Sequence, residues 1–151
     1  MAQLKFSWKA KLADHWRDIS ALGSSSFYFS LIAAAALLGV KIVALRLLVG
    51  YFLIEIVVWL VRLVHYKERP DKEKFTAWWQ KVNTGSFPSA HAARAAFTMM
   101  VLSWHFQSLY LSLFLAVLSV FVMQARVYLK RHDDWDVFAG QLLGVALTLL
   151  A

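Results

Sequence analysis

Three short polar clusters follow one another along the chain, each beside a long apolar run: Arg62 with Arg69-Pro70, then Phe87-Pro88-Ser89-Ala90-His91, then Arg126 with His132 and Asp136. Together they hold what cleavage of a phosphate ester by a histidine nucleophile requires. Permanent guanidinium charge can neutralise phosphate oxygens without a metal. One imidazole can attack phosphorus while a second handles the proton of the departing oxygen. His132 and Asp136 stand four residues apart, a spacing that puts both on one face if the stretch is helical. A carboxylate there holds one ring nitrogen protonated and leaves the other to attack.

The elements that must position these residues are membrane helices. Apolar residues make up 60% of the 151, and the charged ones sit almost entirely outside a few long hydrophobic runs, the distribution of a polytopic membrane protein. The expected fold is all-α: a helix bundle of about five transmembrane spans in one domain over residues 1–151, with an N-terminal amphipathic helix over 1–22 and a transmembrane core over 26–151. In the first stretch Leu4, Trp8, Leu12, Trp16 and Ile19 recur at helical spacing with charges between them, the pattern of a helix lying in the membrane interface rather than a signal peptide. Spans are expected over 26–40, 42–64, 90–104, 109–128 and 135–151, with a tight turn near Gly39 and Lys41. The polar stretch 67–87 reads as the one sizeable loop. Counting crossings brings all three clusters to one membrane face.

A net charge of +7 admits a nucleic-acid partner, but no nucleic-acid module is recognisable and the basic residues flank the spans, so none is expected. Anionic head groups or a phosphorylated lipid explain the charge better. The absence of cysteine excludes thiolate-zinc sites and cysteine-phosphate intermediates.

In order and spacing, Arg62-x6-Arg69-Pro70, Pro88-Ser89-Ala90-His91 and Ala125-Arg126-x5-His132-x3-Asp136 resemble the type 2 phosphatidic acid phosphatase superfamily, whose pattern is Lys-x6-Arg-Pro, Pro-Ser-Gly-His and Ser-Arg-x5-His-x3-Asp. Three positions depart from it. Arg62 stands for lysine and keeps the charge in a planar fork; Ala90 stands for glycine and still supplies a backbone N–H; Ala125 stands for serine and lacks a hydroxyl. The resemblance implies a metal-independent lipid phosphatase without a cofactor, in which His132 is the nucleophile, His91 the acid and Asp136 the orienting carboxylate. Arg62, Arg69, Ser89, Ala90 and Arg126 would hold the phosphate, with Arg94 and Lys67 as further candidates. The substrate would be a phosphate monoester or diphosphate of a lipid, namely phosphatidic acid, phosphatidylglycerol phosphate or a polyprenyl phosphate or diphosphate.

Competing readings accompany these assignments. His15, His65 and His105 fit caps or interface positions, and Arg46 and Glu55 fit structural roles within the bundle. Arg94, one turn beyond His91, would reach a second phosphate or the interface. Asp133 and Asp134 beside His132 form too sparse a set for a metal among three arginines. As a whole, the chain could instead be a catalytically silent lipid-phosphate binder or a structural membrane subunit. The count of positive residues favours a cytoplasmic site, whereas the resemblance favours an extracytoplasmic one at the cell membrane. Catalytic arginines inflate the count, which tips the balance to the second.

Overall fold

The apolar runs fold as helices, and the computed structural model describes residues 8–72 and 77–151, apart from the side chains of Lys9, Trp78, Trp79 and Lys81. Leu4 and Lys5 of the expected amphipathic stretch, and the side chains of Trp78 and Trp79, lie outside the described residues. In chain order the helices are α1 (Trp8–Ala21), α2 (Ser25–Leu37), α3 (Lys41–Val64), α4 (Trp78–Thr84), α5 (Ala90–Phe106), α6 (Leu109–Tyr128) and α7 (Asp134–Leu147). Several start on an oxygen-bearing side chain that takes an otherwise unpaired N–H. Ser24 accepts from Phe27 N at 3.2 Å, Ser108 from Leu111 N at 3.4 Å, and Asp133 from Asp136 N at 3.0 Å.

Fewer helices than the five expected spans have the length to cross a bilayer upright. Among the described residues, α3 and α6 are long and apolar enough to cross a membrane, with mean hydropathy 2.3 and 1.8, and residues 10–21 with α2, bent by 46°, reach the same measure if they act as one. α2, α5 and α7 have 13, 17 and 14 residues, below the roughly 20 that cross a bilayer upright. The physical reasons lie at their ends. α2 stops at a turn through Gly39, at φ 78°, and α7 cannot begin before its Asp133 cap. Within the expected loop 67–87, residues 78–84 form α4.

α5 is central and packs against α3, α6 and α7. Small side chains make this geometry available: Ala92, Ala93 and Ala96 are fully buried. α7 comes closest through two glycines. A Cβ on Gly140 would lie 2.4 Å from the Ser89 carbonyl oxygen and one on Gly144 2.2 Å from that of Ala93, so only glycine allows this approach. Tyr28, Leu47, Ile54, Phe97 and Val101 fill the core toward α2 and α3. Outward, Phe52, Ile56 and Leu60 of α3 and Phe114, Val117 and Phe121 of α6 stay exposed, as lipid-facing surfaces do. α1 lies against α6, with Trp16 stacked on Tyr128 at 5.4 Å between ring centres.

Candidate active site

The three polar clusters meet at one end of the bundle, where α3 and α6 finish and α5 and α7 begin. Backbone bonds lock the junction together. Ser89 N donates to the Asp136 carbonyl at 2.9 Å, Ser86 N to Lys67 O at 2.8 Å, and Asp71 N to Lys130 O at 3.1 Å. Arg131 adds an ion pair to Asp71 at 2.9 Å. The convergence expected from counting crossings is therefore present, although the three clusters are joined by backbone groups that no motif names.

His132 does not share a helix face with Asp136. It lies in the connection before α7, while Asp136 sits in the first turn and closes a reciprocal cap with Asp133. His132 is 2% exposed, and its Nδ1 lies 2.7 Å from the Ser86 carbonyl oxygen but 3.7 Å from Asp136 Oδ2. The main-chain carbonyl is thus the nearer acceptor for an Nδ1 proton, which leaves Nε2 with the lone pair. Asp136 stands behind it, fully buried. The Ser86 hydroxyl donates to Asp136 Oδ2 and lies 3.4 Å from His132 Nδ1, bridging the two. Burial weakens the hold of the His132 ring on a second proton below the ordinary histidine value; Asp136 works against this, and Arg126 and Arg69 add to it. Burial and the Nδ1 contact together favour a neutral imidazole whose Nε2 lone pair is free.

Lys67, a candidate for phosphate contact, is turned to the carboxylates: its Nζ pairs with Asp133 and, at 2.8 Å, with Asp136 Oδ1. Burial works against its charge, but the bonds to Asp133 and Asp136 outweigh burial and hold the ammonium above its ordinary range. Arg62, 9% exposed, donates to Pro88 O at 3.0 Å and Asn83 O at 3.5 Å, and Arg69 donates to Asn83 O at 3.0 Å. Arg126 donates to Ser20 Oγ of α1 at 2.9 Å. Among the described residues, Arg62 Nε and Arg126 Nε are buried N–H groups with no hydrogen-bond partner, an uncommon condition for a protein interior and a ready one for an anion.

Ser89 caps α5, its hydroxyl oxygen accepting from Ala92 N at 3.4 Å, which uses a lone pair and not the hydroxyl proton. His91 follows in the first turn, beside Arg94, which pairs with Glu55 of α3. Glu55 thus takes the structural role expected of it. Two cavities flank the junction. One of about 280 Å³ lies between α3 and α4, lined by Glu55, Ile56, Trp59, Arg62, Val82 and Asn83 among others. The other, about 340 Å³, is bounded by Arg17, Ser20, Arg126, Leu129 and Arg131.

Sequence reasoning missed Ser86, Asn83 and Ser20. Each acts through a carbonyl or a lone hydroxyl contributed across the bundle, and such contacts leave no spacing signal.

Comparison with known proteins places the fold in a family. A family model described as the PAP2 superfamily matches residues 44–151. The fold is shared with LpxE of Aquifex aeolicus, at TM-score 0.76 and 22% identity over 99% of this chain and 98% of that one. It is also shared with a transmembrane PAP2 type phosphatidylglycerolphosphate phosphatase from Bacillus subtilis, at TM-score 0.76 and 24% identity over 97% of this chain and 76% of that one. No curated protein matches at a significant level.

Proposed function

The chain belongs to the PAP2 superfamily, and on that premise we propose that it is an integral membrane, metal-independent phosphatase that removes a phosphate group from a lipid monoester or diphosphate through a phosphohistidine intermediate. The observation that carries the reading is His132: buried, tied through Nδ1 to the Ser86 carbonyl at 2.7 Å, and within the field of Arg126 and Arg69.

In this reading His132 Nε2 attacks phosphorus in line with the departing oxygen, and His91 protonates that oxygen. Water activated by His91 then releases phosphate. Arg62, Arg69 and Arg126, with the Ser89 hydroxyl and the Ala90 N–H at the start of α5, neutralise the phosphoryl oxygens as charge develops. The Asp136 carboxylate stabilises the positive charge that grows on His132, reaching it through Ser86 as well as directly. Ile56 and Trp59 beside Arg62 offer an apolar edge where a lipid tail stays in the membrane while its phosphate reaches the arginines. That placement supports phosphatidic acid, phosphatidylglycerol phosphate and polyprenyl phosphates as the substrates to try first. The short helices α2, α5 and α7 would complete a five-span bundle where the bilayer thins around them and flanking residues snorkel to the interface, with the site at the extracytoplasmic surface of the cell membrane.

Phosphate release from those lipids by detergent-purified protein, with chelator present and His132→Ala in parallel, tests the reading. Chelator-resistant turnover that disappears in the variant is expected. Turnover that survives in the variant removes the nucleophile, and binding without turnover on any lipid identifies a silent lipid-phosphate binder instead.

A further inference from the structure

Arg94 is 4% exposed, and each part of its guanidinium is turned inward. Nε donates to the Gly23 carbonyl, between α1 and α2, at 2.9 Å. One terminal nitrogen pairs with Glu55, the other stands 3.3 Å from His91 Nδ1, and the group lies 5.9 Å from the centre of the Tyr51 ring. A second phosphate or the membrane interface, the roles its sequence position suggested, is not what it faces.

A guanidinium has donors on every nitrogen, no acceptor, and a charge it keeps at any ordinary pH. The His91 nitrogen opposite it must therefore present a lone pair, which puts the proton of the neutral ring on Nε2. We propose that Arg94, held by Glu55 and the Gly23 carbonyl, is a positioning residue that fixes this tautomer, so that His91 offers Nε2–H to the departing oxygen. The proposal rests on the phosphatase reading above and adds a residue that the motif pattern does not contain. Its hold on Gly23 also reaches outside the region matched by the family model, which begins at residue 44.

The proton and electron movements then balance. The lone pair of His132 Nε2 forms the N–P bond as the P–O bond breaks, and the leaving oxygen keeps the electron pair and takes the His91 Nε2 proton. Negative charge building on the His91 ring meets the Arg94 guanidinium at Nδ1. In the second half, water attacks phosphorus, the N–P electron pair returns to His132, and the water proton restores His91 Nε2–H. A neutral imidazole serves as an electrophile elsewhere when a fixed positive field favours it. Among the described residues, the charged and titratable groups whose fields act on His91 include Arg126 of α6, Arg94 of α5, His132 and Arg69, with Glu55 of α3 behind Arg94.

Nitrogen NMR of the full-length protein carrying isotope-labelled histidine, in detergent near neutral pH and assigned with His91→Gln, reads the tautomer directly. His91 is expected to be protonated on Nε2 and not on Nδ1, and Arg94→Leu is expected to mix the two forms. Activity gives a second reading from the leaving group, because an alkoxide needs the proton and para-nitrophenolate does not. Arg94→Leu should lower kcat on an alkyl lipid phosphate on the order of a hundredfold, and on para-nitrophenyl phosphate far less. Arg94→Lys, which keeps a donor, should recover part of the loss. Glu55→Gln, at a partly exposed residue, should show the same pattern more weakly and covers the case in which Arg94→Leu does not fold. Equal losses on both substrates, or a wild-type His91 with its proton on Nδ1, would overturn the proposal. A wild-type protein that turns over neither substrate removes the phosphatase reading instead, while the NMR signal still reports the tautomer.

Discussion

His132 precedes α7 and His91 stands in the first turn of α5, and the groups facing their Nδ1 atoms are opposite in kind. Around His132 these are acceptors: the Ser86 carbonyl at 2.7 Å and the Asp136 carboxylate at 3.7 Å. Beside His91 it is a donor, Arg94 at 3.3 Å. Two identical side chains are thereby given different chemistry at Nε2, a lone pair on one and a proton on the other. The difference teaches that, in the proposed reaction, the roles of nucleophile and acid reside in the neighbours' hydrogen-bonding character, since the imidazoles themselves are interchangeable.

The sharpest way to break this comparison is to remove the side assigned to attack. His132→Ala should lower kcat by about 10⁴-fold or more, because in the proposed reaction His132 forms the covalent intermediate. It should also abolish a phosphoryl-enzyme that is stable to alkali and labile to acid, trapped with radiolabelled substrate. If His91→Ala loses the trapped intermediate while His132→Ala keeps it, the two roles are reversed.

Asp136→Asn should act next most strongly, at about a hundredfold in kcat. A direct carboxylate partner of a catalytic histidine is worth about 10⁴-fold when its amide replacement forces the wrong tautomer. Here the Ser86 carbonyl remains to hold the Nδ1 proton, so the loss should be smaller. The variant also takes a charge from Lys67, and thermal unfolding read alongside kcat separates that effect from catalysis. A loss as large as that of His132→Ala would mean that the carbonyl does not fix the tautomer.

Ser86→Ala keeps the carbonyl and deletes only the hydroxyl that links Asp136 to the ring. About a tenfold loss in kcat, with KM little changed, is expected for one buried hydrogen bond to a charged group. An effect as large as that of Asp136→Asn would show that the carboxylate works entirely through the hydroxyl.

These contacts mark where the sequence stopped being readable. α6 runs over residues 109–128 and α3 over 41–64, within a residue of expectation, because a long apolar run bounded by charges has few ways to fold in a membrane. α5 and α7 also begin within a residue of expectation, and the differences fall at their far ends, residue 106 against 104 and residue 147 against 151. The three clusters could be brought to one face by counting crossings. The break before α7 had its own signal in Asp133 three residues ahead of Asp136, a reciprocal capping pair that competes with a continuous helix through His132. No comparable signal exists for the Ser86 and Gly23 carbonyls. Every residue carries a carbonyl, and which one meets a ring or a guanidinium depends on how non-adjacent helices pack.

The smallest expected effect concerns pH, and it separates the two sides of the comparison without deleting a hydrogen bond at Nδ1. Burial, reinforced by Arg126 and Arg69 and opposed by Asp136, lowers the proton affinity of His132 below the ordinary value. A nucleophile with an ordinary value near 6.5 would lose about tenfold in kcat/KM one unit below it; with the value lowered, the loss over the same interval should be smaller. The sign can be driven both ways. Arg126→Gln removes a cation, so His132 should protonate more readily and the acidic limb should move to higher pH. Asp136→Asn removes an anion that favours the protonated ring, so the limb should move to lower pH. Ionisation of the substrate phosphate is common to all three profiles, and displacements between them therefore report the enzyme. Opposite displacements would place the titrating group beside Arg126 and Asp136, where His132 stands. A limb that moves with neither substitution would assign it to the substrate, and the carboxylate and arginine would then act on phosphate and geometry and not on the protonation of His132.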